Sequence, residues 1–122
     1  MKFENILQEI NYNPRDYLNE VKQRAKKNHY NPDDVSFSDN MKNKLMITDP
    51  NGKKVYFGLS GYGDYLIYKH LEKEGIAPAG TAEKKRNVFQ RSHGTLQKIV
   101  QKRNKGRNLD YTPNQLALLL NW

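Results

Sequence analysis

The four residues Asp49-Pro50-Asn51-Gly52 constrain this chain more than any others. Proline presets one turn dihedral, and Asn-Gly tolerates the positive φ that a tight hairpin turn demands. Two short strand-like runs flank the turn, LMIT at 45–48 and KVYFG at 54–58. The spacing predicts an antiparallel β-hairpin. A hairpin alone is marginal in water, so its apolar face must lie on helices or on a third strand. Val35 and Phe37, alternating with polar neighbours in a turn-rich stretch, offer a short extended segment for that purpose.

Helical periodicity supplies the rest of the fold. Phe3, Ile6, Leu7 and Ile10 recur at helical spacing, which suits a short helix or a docking arm. Asn13-Pro14 reads as an N-cap followed by proline at the first helical position. From there Tyr17, Leu18, Val21 and Ala25 form one apolar stripe, with Arg15, Glu20, Lys22, Arg24 and Lys26 opposite. The pattern predicts an amphipathic helix from about Pro14 to Asn28, stopped before Asn31-Pro32. Asp64 is placed to cap a helix running through Tyr65, Tyr68 and Leu71 to a C-terminal Gly75.

Thr81 is placed to cap the next helix, with Glu83 favourable at its positive end. Val88 and Phe89 should face inward, and Lys84, Lys85, Arg86 and Arg91 outward. Gly94 is a bend or break before a narrow stripe of Leu96, Ile99 and Val100, and NKGRN at 104–108 reads as a loop. Thr112-Pro113 repeats the cap-then-proline signal ahead of a short apolar helix, Leu116 to Leu120, ending at Trp122. A tryptophan after such a run is a poor choice for solvent, so this tail is expected to be docked. The fold class is α+β: one small domain over 1–122, helices packed around a β-hairpin, with an apolar C-terminal helix.

Composition limits what such a domain does. The chain has 122 residues, of which 36% are hydrophobic and 28% charged, so the core is modest. Eight tyrosines, four phenylalanines and one tryptophan supply much of its bulk. With no cysteine, disulfides, thiolate nucleophiles and cysteine-based metal sites are excluded. No apolar run approaches the roughly 20 residues a membrane helix needs. The opening MKFENILQEI carries acids where a secretory signal wants uninterrupted apolar residues. A soluble protein made inside a cell is expected.

The charge is concentrated. Lys84, Lys85, Arg86, Arg91, Lys98, Lys102, Arg103, Lys105 and Arg107 fall in one stretch without a single acid, while the whole chain carries a net +8. The rest is therefore nearly neutral. A basic segment seeks a polyanion: nucleic acid, an acidic protein face or an anionic membrane surface. Engagement of three to five of these cations would give log K against log salt a slope of about −3 to −5 on duplex DNA.

Tyr56, Tyr62, Tyr65 and Tyr68 crowd just before the basic stretch. Aromatic rings beside cations hold single-stranded nucleic acid, although tyrosines at such spacings more commonly pack in cores or interfaces.

Catalytic signals are weak. His29, His70 and His93 lack metal-site spacing. Gly58, Gly61 and Gly63 are not a G-x-G-x-x-G loop and read as tight turns at a strand exit. No catalytic residue, metal site or cofactor is expected.

Four motifs taken in order carry a family resemblance. They are GKKVYFG over Gly52 to Gly58, GYGDY over Gly61 to Tyr65, the pair Lys69 and His70, and the basic helix from Lys85 to His93. The chain then closes on LLLNW, Leu118 to Trp122. Over residues 42–122 this pattern resembles a family of small basic proteins encoded by nucleocytoplasmic large DNA viruses, the giant viruses. Residues 1–41, an N-terminal arm and amphipathic helix, lie outside the pattern, and LEKEGIAPAG lengthens the link before the basic helix.

The resemblance implies a non-enzymatic virion component made in the host cell interior, a minor capsid protein lying among major capsid proteins. In that role Tyr62, Tyr65, Tyr68 and Trp122 would be interface aromatics and the basic stretch would meet partner or polyanion, with a second copy of the chain as a further possible partner. The alternative is a nucleic-acid-binding protein of the virion core, or a regulatory one, using residues 84–107 without sequence preference.

Overall fold

A computed structural model describes residues 2–89, 91 and 109–122. The elements run α1 (Phe3–Glu9), α2 (Pro14–Lys27), a 3₁₀ turn (Pro32–Asp34), β1 (Val35–Phe37), β2 (Asn43–Thr48), β3 (Lys54–Leu59), α3 (Tyr65–Lys73), α4 (residues 81–89) and α5 (Pro113–Leu120). Helices and a three-stranded antiparallel sheet, ordered β1-β2-β3, share one core. This is the α+β arrangement that the hairpin signal demands. The expectations for Gly94, Leu96, Ile99, Val100 and the 104–108 loop fall outside the described residues, as do Lys98, Lys102, Arg103, Lys105, Arg107 and His93.

The hairpin turn is built as its residues dictate. Asp49 Oδ1 accepts from the amides of Asn51 and Lys53, and Gly52 takes φ +81°. β2 and β3 pair with Leu45 opposite Phe57, Met46 opposite Tyr56 and Ile47 opposite Val55. β1 completes the sheet with Val35 opposite Ile47 and Phe37 opposite Leu45. The inner face therefore carries Val35, Leu45, Ile47 and Phe57, all buried. On the other face Tyr56 and Lys54 both donate to the Asp39 carboxylate, which holds Asp39 below its ordinary pKa, the Tyr56 bond contributing most. Tyr56 thus stands apart from the other three tyrosines of its cluster.

α2 lays Tyr17, Val21 and Ala25 into the core, and the Asn13 side chain accepts from the Arg15 amide at its start. α1 is a packed helix with Phe3 and Leu7 buried, and Phe3 meets Tyr17 edge-on at 5.1 Å between ring centroids. α5 closes the core from the side of β3, with Leu116, Leu118, Leu119 and Leu120 all buried.

Several local expectations are corrected. Val88 is 55% exposed, not inward. Arg24 and Arg86, expected in solvent, are half-buried over the Tyr65 ring at 5.4 and 4.4 Å from its centroid. A guanidinium is planar and weakly hydrated, so it covers an aromatic face well. Thr81 does not cap α4: its hydroxyl donates to Pro78 O, while the Ala82 amide is taken by the Glu72 carboxylate. Glu83 accepts from the Tyr65 hydroxyl. Thr112 likewise donates to Asp110 and makes no side-chain cap.

Candidate functional site: an aromatic cleft on a buried ion pair

Period two breaks at Lys44. Its neighbour Leu45 faces the core, so Lys44 should lie outside, yet it is buried. The residue that would face it is Gly58, at φ +74°, and the ladder skips from Asn43–Leu59 to Leu45–Phe57. A Cβ on Gly58 would stand 3.1 Å from Asn121 Oδ1 and 3.4 Å from Lys44 Cδ. Glycine is thus needed twice here, for its backbone angle and for the space it leaves. The lysine stem passes through that space to reach Asp64.

Asp64 is the centre of the arrangement. Its Oδ1 accepts from the Ile67 amide at 2.9 Å, capping α3. Its Oδ2 accepts from Lys44 Nζ at 2.9 Å and from the Tyr17 hydroxyl at 2.5 Å. Asn121 Nδ2 donates to the Tyr17 oxygen at 3.0 Å and lies 3.5 Å from Asp64 Oδ2. The ion pair is sealed, with side-chain exposures of 3% for Lys44 and 1% for Asp64. Four segments of the chain therefore converge on one carboxylate. A buried charge is tolerated when it is paired and hydrogen-bonded, and here both conditions hold.

Burial, then the charge of Asp64, raises the Tyr17 hydroxyl well above its ordinary pKa of 10.0. A group whose folded pKa is raised stabilises fully below its unfolded pKa and loses that contribution as pH climbs towards the folded value. Stability should therefore decline above about pH 10, and Tyr17→Phe should flatten that decline. Melting curves from pH 8 to 11 that are parallel for the two proteins would refute the assignment.

The ion pair forms the floor of a cleft of about 530 Å³ between the end of β3 and α5. Leu59, Tyr62, Tyr68 and Trp122 are among its walls, and Asn43, Asn114 and Asn121 add amides. Tyr62 is 70% exposed at its mouth. Trp122 stacks on Phe89 of α4 at 4.6 Å and 11°, with Tyr68 at 6.4 Å. Lys85 Nζ stands 5.6 Å from the centre of the Tyr68 ring.

Tyr62, Tyr68 and Trp122 thus meet in one place, with Lys85 at its edge. Tyr65 is turned away towards Arg24, Arg86 and Glu83. Lys84 is exposed on the same helix as Lys85, and Arg91, outside the 81–89 range, is exposed too. Lys44, Tyr17, Asn121 and Phe89 escaped the sequence reading as members of a site. The sequence signal that bears on them is Gly58 inside a strand, since a glycine there marks a close approach of another part of the chain.

A larger hollow of about 670 Å³ lies between α2 and α3, lined by Asp16, Glu20, Arg24, Lys69 and His70. His70 leaves its own helix to donate from Nε2 to Ile10 O at 2.7 Å and stacks on Tyr12. Burial, then Asp64, pushes the Tyr12 hydroxyl up to about 12. His70 ties α3 to the end of α1, which is a packing role.

Two of the left-handed glycines, Gly52 and Gly58, separate backbone from space. Nothing lies within 4 Å of a Cβ at Gly52, so Gly52→Ala should cost only the backbone strain, about 1–2 kcal/mol. Gly58→Ala adds crowding against Lys44 and Asn121 and should cost more. Equal denaturation midpoints for the two variants would deny that Gly58 makes room for the ion pair.

A family model described as a family of unknown function (DUF5754) matches residues 34–73. That match runs from the 3₁₀ turn through all three strands to the end of α3. It contains Lys44, Gly58, Tyr62, Asp64 and Tyr68, and it leaves out Tyr17, Asn121 and Trp122. No curated protein and no solved structure matches the chain. Among the described residues, no helix is long and apolar enough to cross a membrane.

Proposed function

We propose that the chain is a non-enzymatic structural component of a large DNA virus particle, a minor capsid protein that docks on major capsid proteins. The observation that carries the reading is the cleft at Tyr62: aromatic walls open to solvent above a closed, internally neutral ion pair, with the exposed Lys85 at its edge. Such a surface is made for adhesion, because exposed tyrosine contributes large contact area at low entropic cost. The resemblance over residues 42–122 points to the virion as the setting. Chemical crosslinking of purified particles should join the chain to a major capsid protein. Recovery from infected cells but never from particles would overturn the reading.

Exposed Lys84 and Lys85 on α4, with exposed Arg91, favour one alternative, a nucleic-acid-binding protein. The capsid reading expects weak duplex binding that fades with salt, at a slope of about −3 to −5 in log K against log salt. Tight binding that survives 200 mM salt and discriminates between sequences would make DNA the target instead.

A further inference from the structure

We infer that the cleft receives an acidic peptide segment of the partner, seating one bulky apolar side chain between Tyr62 and Trp122. This deepens, and rests on, the docking role proposed above. Charge complementarity selects the occupant. Among the described residues of the lining, Asp64 is cancelled by Lys44, so these bring no net charge of their own. On α4 the charged group at the cleft's edge is Lys85, exposed and leaning over the Tyr68 wall, and Lys84 next to it on the helix is exposed as well. A second copy of this chain would bring its own net +8 against that edge. Like charges disfavour that encounter, while Asp and Glu flanking an apolar anchor suit it.

Nucleic acid is also acidic, and the rings decide between the two. Base stacking needs free aromatic faces. Here Trp122 carries Phe89, Tyr68 carries Lys85, and Tyr65 carries two guanidinium groups. Tyr62 is the one of the four that has no ring or cation contact among the described residues. A single platform suits one inserted side chain better than a run of stacked bases. The Asn114 side chain lines the same cleft, and a side-chain amide pairs with the backbone of an extended peptide.

Trp122 is the only tryptophan in the chain, so its fluorescence reports on this cleft alone. The probes are short synthetic peptides with a central phenylalanine flanked by aspartates, the same peptide flanked by lysines, and the aspartate peptide with alanine at its centre. A single-stranded oligonucleotide completes the set. The aspartate–phenylalanine peptide should shift Trp122 emission saturably, and more weakly as salt rises. Lysine flanks, the alanine centre and the variant Tyr62→Ala should each weaken binding at least tenfold, as should Lys84→Glu combined with Lys85→Glu.

Tyr62 is largely in solvent, so an unchanged melting temperature will certify the Tyr62→Ala fold. Equal binding of aspartate and lysine peptides, wild-type affinity in Tyr62→Ala, no emission change at saturating peptide, or stronger binding of the oligonucleotide would each overturn the inference. If Tyr62→Ala still crosslinks to the major capsid protein at the wild-type level, the cleft assignment falls and the capsid reading stands. If wild type never crosslinks to it, the capsid reading falls by itself.

Discussion

Asp64→Ala should destabilise the fold by about 3–5 kcal/mol, because it strands Lys44 as an unpaired buried charge. The same change removes the acceptor for the Ile67 amide and for the Tyr17 hydroxyl. For a domain of this size the melting temperature should fall by roughly 10–20 °C. Lys44→Met alone should be nearly as damaging, since it leaves the carboxylate buried without its cation. Combining Lys44→Met with Asp64→Leu should recover much of the loss, as apolar replacement of a whole buried pair commonly does. A double-mutant cycle reads the coupling directly. Additive losses in that cycle would mean that the two charges do not stabilise each other.

The second large effect concerns α5. Leu116 and Leu120 have no exposure, and Leu118 and Leu119 have almost none. Truncating one buried leucine to alanine costs about 2–5 kcal/mol, against a total stability of about 5–15 kcal/mol for an ordinary domain. Leu120→Ala should therefore remain folded with a clearly lowered midpoint. Deleting residues 112–122 removes four such leucines and Asn121 with them, so no cooperative unfolding transition should survive. A truncated protein that melts like the full chain would show that α5 is an appendage.

Much of this fold is legible because its signals are local. The Asp49–Gly52 turn, the Asn13-Pro14 start of α2 and the Asp64 cap of α3 each lie within a few residues of what they specify. The apolar run of α5 announces its own burial. Lys44 defeats the same logic, since a lysine at that place in an alternating strand belongs in water. What brings it inward is a carboxylate 20 residues away and a hydroxyl on a different helix.

Arg24 and Arg86 fail for a related reason. Charge assigns them to solvent, while the Tyr65 face they cover is known only once α2, α3 and α4 are assembled. The aromatic and basic features were readable as composition. Their junction at Tyr68, Trp122 and Lys85 is a product of tertiary packing.

The polar cluster around Asp64 also sets how the chain reaches its native state. Its hydrogen bonds span 47 residues from Tyr17 to Asp64 and 104 from Tyr17 to Asn121. Closing loops of that length is entropically slow, and it must precede the contacts that reward it. A partly assembled version is worse than none, because each missing partner leaves a desolvated charge or hydroxyl. The hairpin and α2 can form early on local information, but they gain their full stability only when α5 arrives. Folding should then show one dominant slow phase. The Ile67 amide, bonded to Asp64, should exchange its hydrogen only on global unfolding, which would make it a single-site gauge of the whole domain's stability.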